Sequence, residues 1–598
     1  MQPKFAVRQL LLALLAICLL LMSGCSTAYE RTKKPAGDWS RGLLLGESHI
    51  RQAVALEIDA ERRVHIVWIE RLSDQEESLH YARLNRQGQV EIDQPLGIDL
   101  PRPRGPRLLA DGANRLHLAL LSRADDTQEL YHAHIDGQGR PGESVRVSSQ
   151  GETVNTFQLY LSPDGEIAFV WGSEPATGQR GVYHAVLRGA ETVSPILLLD
   201  DAIEPYVLVT RPETGDATTH LTWLRRTGFS ARDVYYATLQ GTELMPPQGQ
   251  RISSFQYAES AAYQAPVIGL DTDHVYVIWS VQNLGGGLTP TAADTYYVSF
   301  PLGAPRPGDA RAVKLPQEHR PRYADHTGPY QFDRLVPLSP DVYTTDFINA
   351  PAVVQRQEDE LPVVVSLIIE SASKQFMQLA MTVFADGDPV GYQLANETSN
   401  ASVLPTLVAD GDANLHLAWL DTAGFRLYKV YYATTASEAK EWLDRVTVED
   451  VARGAADLAW GILSAIGFLP LTLMWNAPAL VCLVLFYLVT RQELLDELGA
   501  KIALGLAFVI YVAVKILFLP GLLSAGTPFV HLVPDALESA LTTGIPILVL
   551  LLALLGLAVY LRRSTDTPSL FKAYLVFAFI DSVLTAVLYA PRFFDPRG

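Results

Sequence analysis

The chain has 598 residues, 48% of them hydrophobic and 19% charged, with 65 acidic side chains against 47 basic ones and a formal net charge of −18. Such acidity excludes nucleic acid and anionic lipid headgroups as broad partners. The three cysteines are Cys18, Cys25 and Cys482, so residues 41–447 have no disulfide and no thiolate site for a metal or a nucleophile.

Lys4 and Arg8 precede an apolar run over 10–22 and the small residues Ser23 and Gly24, the pattern of an export signal. Met22-Ser23-Gly24-Cys25 resembles the lipobox of bacterial lipoproteins, with methionine where leucine predominates. The resemblance covers the first 25 residues only. It implies a signal peptide over 1–24, a lipid anchor at Cys25 and a linker over 25–40.

From residue 41 to 447 the sequence echoes itself seven times. His65-Ile66-Val67-Trp68 returns as phrases beginning at His117, Ala168, His220, Tyr276, Val364 and His416. The steps are 52, 51, 52, 56, 88 and 52 residues. A second phrase follows each one, such as His80-Tyr81-Ala82, Tyr131-His132-Ala133 and Tyr431-Tyr432-Ala433. Four short strands with their turns need roughly 40–50 residues, so the period predicts a seven-bladed β-propeller. In four repeats the tryptophan precedes the alanine by the same distance (Trp68 and Ala82, Trp171 and Ala185, Trp223 and Ala237, Trp419 and Ala433), which predicts a constant hairpin. Turn sequences such as Asp111-Gly112-Ala113-Asn114 and Asp410-Gly411-Asp412-Ala413-Asn414 separate the strands.

The recurring His65, His117, His220 and His416 occupy one position in different blades, which makes a ring rather than a cluster and predicts packed histidines, not a metal site. Asp410, Asp412 and Asn414 have the spacing that opens a calcium loop, but Leu415 stands where such a loop needs glycine, so a plain turn is expected. The propeller resembles the broad sialidase-like type, yet the stretch nearest to its Asp box, Ser162-Pro163-Asp164-Gly165 with Trp171, has the glycine early and the tryptophan late. No specific enzyme family is matched. No catalytic residue and no cofactor is assigned by spacing, and Asp74, Glu76 and Glu77 read as a solvated loop.

The long step implies an insertion of about 36 residues, near 304–350. It gathers Arg306, Arg311, Lys314, Arg320, Arg322, Tyr323, Tyr330, Arg334, Tyr343 and Phe347. Arginine and tyrosine dominate binding hot spots, and loops on rigid scaffolds carry function. Arg320, Arg322, Tyr323, Tyr330 and Arg334 are therefore the candidate ligand-binding residues, for a protein or glycan partner.

After a linker over 448–457, residues 458–598 are apolar. Uncharged or nearly uncharged stretches at 458–489, 502–522, 545–561 and 570–590 predict four membrane spans. Arg491, Lys501, Arg562, Arg563 and Lys572 lie in the basic loops, which places those loops in the cytoplasm and the propeller outside. Lys515 and Asp581 fall at similar depths and are expected to form an intramembrane ion pair. The sequence thus describes a propeller on the extracytoplasmic side of a bacterial cytoplasmic membrane, acting in binding or scaffolding. A surface glycan hydrolase and a sensor or transport component are the alternatives.

Overall fold

The structure, a computed structural model, describes residues 30–594 apart from 36, 72–76, 125–126, 175–178, 189–190, 193, 212–216, 259–260, 284–291, 318–334, 339–342, 355–358, 372–373, 449, 453–474, 524–537 and 565–566. Cys25 and the lipobox lie outside the described residues. Two compact units emerge, one over 29–445 and one containing 446–598.

The first unit is a seven-bladed β-propeller. Its antiparallel sheets span residues 55–96, 103–146, 154–200, 202–256, 261–312, 336–394 and 402–434, here blades 1 to 7. Each innermost strand touches the innermost strand of the next blade, and that of blade 7 returns to that of blade 1, so the ring is closed. The repeated phrase is the second strand of each blade. In blade 7, Leu415 to Leu420 are all buried, as a blade packed on both faces requires. The constant spacing of tryptophan and alanine is a hairpin in which Trp171 faces Tyr183, Trp223 faces Tyr235 and Trp419 faces Tyr431 across the strands, their rings stacked 5.5–6.0 Å apart.

Closure of the ring depends on a strand that the repeat pattern does not announce. Leu43–Ser48 pairs antiparallel with Leu427–Thr434 and forms the outer edge of blade 7. The insertion also has a structural end. Val336–Pro337 adds a fifth strand at the outer edge of blade 6, while the first strand of that blade, Ile348–Val353, begins only afterwards.

Each first strand carries the chain across the blade and each second strand returns it. Turns between first and second strands therefore share one face of the disc, the turn face. The loops between second and third strands, and the connections between blades, share the other, the connection face.

The second unit is helical. A short helix α1, Ser437–Leu443, still belongs to the propeller unit. Beyond it come α2 (Trp475–Thr490), α3 (Leu498–Leu523), α4 (Glu538–Arg563) and α5 (Leu570–Phe594). Among the described residues three helices, α3 to α5, are long and apolar enough to cross a membrane, not the four expected. The described part of the first predicted span is α2, which is shorter than the roughly 20 residues a span needs. Helix α5 packs against both α3 and α4. Their interior uses small residues, Ala503, Ala507, Ala553, Ala573 and Ala586, which let backbones approach closely. Val509, Leu517, Leu551 and Leu555 point outward, a surface suited to lipid rather than water.

Candidate functional site

On the connection face, the first strand of blade 4 (Ala202–Thr210) breaks register between Ile203 and Tyr206, and Glu204 there adopts φ +53°. The same break recurs before a proline at Gly105, Ala350 and Leu404, all with positive φ. Proline has no N–H for the ladder, so the pairing bulges at that point. In blade 4 the bulged residue carries a carboxylate.

Glu204 Oε1 accepts a hydrogen bond of 3.0 Å from the Tyr263 hydroxyl, while Oε2 is buried with no hydrogen-bond partner among the described residues. Arg232 lies beside them, its Nε 3.4 Å from the Tyr263 hydroxyl and its guanidinium 5.2 and 5.3 Å from the Tyr257 and Tyr263 rings. Arg232 is held by the carbonyls of Gly228, Phe229 and Ala231, in the loop whose Phe229 is 85% exposed. Burial raises the pKa of Glu204, against the opposing pull of the Tyr263 hydrogen bond and nearby arginines. Burial and the neighbouring carboxylate push Tyr263 up to about 12. A carboxyl biased toward its protonated form beside a phenol can donate a proton or a hydrogen bond to a ligand. Spacing did not signal this group, because its residues come from three strands of two blades.

The insertion leaves the same face on a two-stranded stem. Gln317 N donates to Tyr343 O at 2.8 Å and Thr345 N to Leu315 O at 2.9 Å. Thr345 Oγ1 also bonds to Ile368 O at 2.6 Å, and Gln317 Nε2 to Glu370 at 3.2 Å. The candidate residues Arg320, Arg322, Tyr323, Tyr330 and Arg334 lie outside the described residues. Two other insertion residues are structural: Arg311 bonds Asp388, Ser299 and Gly387 and stacks on Tyr297, and Phe347 is buried. Tyr343 is 89% exposed.

The repeated histidines sit near the turn face, each joined to groups of its own blade. Nδ1 of His65, His220 and His416 lies 2.8, 2.6 and 2.8 Å from the hydroxyl of Tyr81, Tyr236 and Tyr432. His65 Nε2 is 2.9 Å from Asp59, and Thr210 lies 3.2 Å from His220. Blade 3 swaps the pair, with Tyr160 against His184 at 3.0 Å. Blade 2 departs from the pattern. There His117 faces not a tyrosine but His132, Nδ1 to Nε2 at 3.0 Å, and His134 stands beside both. The ring argument overlooked this cluster within one blade, although His132-Ala133-His134 displays it in the sequence. Burial lowers the pKa of His117 to about 4 and of His132 to about 3, and lowers that of His134.

Asp410 holds a turn, its Oδ1 accepting from the backbone of Asp412 and Asn414 at 2.9 Å each. Glu77 pairs with Arg104 instead of lying free in a loop.

In the helical unit Lys515 Nζ lies 2.5 Å from Asp581 Oδ2 and 2.9 Å from Thr585 Oγ1, and Tyr511 also donates to Asp581. Nearby, Asn476 bonds Ser582 at 3.1 Å and Tyr574 donates to Asn476 at 3.1 Å.

No known family model matches the sequence, and no curated protein resembles it significantly. Several solved structures resemble this chain at low identity, among them glycan-acting enzymes. One is a polysaccharide lyase of family PL25, an ulvan lyase, at 13% identity and TM-score 0.40, covering 67% of this chain and 94% of that one. The polysaccharide lyase Uly1 matches at 9% identity and TM-score 0.27, covering 64% and 76%. A putative exo-β-1,3-galactanase from Bifidobacterium bifidum matches at 10% and 0.28, covering 45% and 96%. Likeness at this level carries no argument about what this chain does.

Proposed function

We propose that this chain is a membrane-tethered propeller of the bacterial cell envelope that binds a partner through its connection face. The observation that carries the reading is the convergence on that face of the insertion stem with exposed Tyr343, the exposed Phe229 and the unpartnered Glu204 Oε2. Exposed aromatics and a polar group on one face supply contact area and orientation, the two ingredients of a binding hot spot. The three apolar helices tether the chain to a membrane, and acylation at Cys25 adds a second attachment on the extracytoplasmic side.

The test compares wild type, a variant in which residues 318–334 are replaced by a Gly-Ser linker so that the strand Val336–Pro337 is kept, and F229A/Y343A. Each is probed by affinity capture from envelope extracts and by binding to a glycan array. Loss of the captured protein or glycan in both variants, with an unchanged melting curve, supports the reading. Full binding by both overturns it. Labelled-lipid incorporation that persists in C25S refutes the lipid anchor.

Glu204 favours a second reading, hydrolysis of a glycan, because a buried carboxyl of raised pKa is suited to protonating a leaving oxygen. E204Q separates the two. Turnover of the array ligand by wild type that E204Q loses while still binding supports hydrolysis, and a wild type that binds without turnover refutes it.

A further inference from the structure

Blade 2 differs from blades 1, 4 and 7 at two neighbouring positions, and both differences are histidines; blade 3 shares only the first, His184, which faces the hydroxyl of Tyr160. Where blades 1, 4 and 7 place Tyr81, Tyr236 and Tyr432 against the repeated histidine, blade 2 has His132. Two residues later, where those blades have Arg83, Thr238 and Thr434, it has His134. In an internal repeat the other blades show what packing alone requires, namely a hydroxyl bonded to the histidine. A third imidazole is not part of that requirement.

The placement follows from β geometry. His117 and His134 are direct partners across the second and third strands, and His132, two residues before His134, projects from the same face. The ring centroids are 4.4, 4.9 and 5.2 Å apart, and one ligand nitrogen from each ring lies within 4.8 Å of the others. Ligand nitrogens around a tetrahedral zinc at about 2.05 Å are roughly 3.3 Å apart, a difference that rotation of the rings closes.

A carboxylate stands behind the set. His117 Nε2 is 3.2 Å from Asp111 Oδ2, and Asp111 is fixed in its turn by the backbone of Ala113 and Arg115 at 2.9 and 2.8 Å and by the Arg115 side chain at 2.7 Å. A proton on Nε2 directed at Asp111 leaves the Nδ1 lone pair facing His132 and His134, the arrangement by which carboxylates orient metal-bound histidine. His134 Nδ1 is buried with no hydrogen-bond partner among the described residues, a vacancy that packing does not explain. The His134 ring is less buried than the other two, which gives an ion a path from solvent.

We propose that His117, His132 and His134 form a three-histidine site for a divalent first-row transition ion, zinc or copper in class, with water completing the coordination and Asp111 orienting His117. Three neutral imidazoles and an open position suit those ions better than magnesium or calcium, which take oxygen ligands. The site lies toward the turn face and is independent of the partner-binding face.

The experiment uses the full chain without an affinity tag, in detergent micelles, stripped with chelator and titrated with zinc chloride against a chromogenic chelator. One zinc per chain is expected. H132Y installs the tyrosine of the sibling blades and H134T the threonine of blades 4 and 7, so both keep a packing already present in this fold. Each is expected to weaken zinc binding at least tenfold with the metal-free melting temperature unchanged, and D111N to weaken it by roughly 10–100-fold. Cobalt(II) added to wild type should show the visible bands of a low-coordinate nitrogen site, absent in H132Y. Failure of wild type to bind one equivalent overturns the proposal, as does undiminished stoichiometry and affinity in H132Y and H134T. If one of these variants does not fold, the cobalt spectrum and zinc stoichiometry of the other decide.

Discussion

Leu43→Ala tests how the ring is held shut. Leu43 is fully buried in the strand that closes blade 7, packed with Val54, Trp68, Val430 and Tyr432, and paired across the sheet with Tyr432. Truncating a fully buried leucine costs about 2–5 kcal/mol, the transfer of the lost carbons plus the cavity they leave. On the same strand Glu47 is exposed, and Glu47→Ala should change stability by less than about 0.5 kcal/mol. Gly46→Ala gives an independent check: an added Cβ would sit 2.7 Å from Trp68 Cζ2, an overlap costing about 1–3 kcal/mol. The assay is urea unfolding of the detergent-solubilised chain followed by tryptophan fluorescence, which reports mainly on the propeller because seven of the nine tryptophans lie between Trp39 and Trp442. Leu43→Ala and Gly46→Ala should lower the midpoint with the denaturant slope unchanged. If Leu43→Ala shifts the midpoint no more than Glu47→Ala, the strand does not close the ring and the argument fails.

Asp59 and Asp111 are both held at about 2: burial by itself raises them, but hydrogen bonds from His65 and Arg63, and from Arg115 and His117, outweigh it. A carboxylate whose folded pKa is depressed stabilises above its unfolded pKa near 4 and loses that contribution as the pH falls toward 2. Melting temperature measured from pH 6 down to pH 2 should fall through this window, and D59N should flatten the descent; a parallel curve for D59N would contradict the linkage. In the helical unit K515M and D581L each strand one buried partner and should destabilise by about 3–5 kcal/mol, while the double change K515M/D581L recovers most of the loss. Additive losses across that cycle, read from helix unfolding in mild detergent, would mean that the two groups act independently.

Much of the fold was legible because a propeller repeats its local pattern. Trp171, Trp223 and Trp419 recur with their tyrosines because the same hairpin must bury the same rings in every blade, so period and register could be read by counting. The strand Leu43–Ser48 escaped that counting, since its partner lies almost 400 residues away and no local feature marks it as an edge. The four spans expected became three candidates among the described residues, since 458–474 of the first expected span lie outside them. Arg311 looked available for binding on residue type alone, yet Asp388 and Tyr297 claim it once two blades are side by side.

The amino-acid sequence by itself determined the number of blades, the hairpin within each, the position of the insertion and the apolar character of the C-terminal quarter. Those properties depend on periodicity and composition, which are written locally. Only the tertiary structure decided that Glu204 meets Tyr263, that Arg311 meets Asp388 and that His117 meets His132 and His134. Such meetings depend on cross-strand register and on which blade faces which. Hydrogen bonding and coordination fall off within a few ångströms, so a pattern that places residues only to the nearest strand cannot decide them.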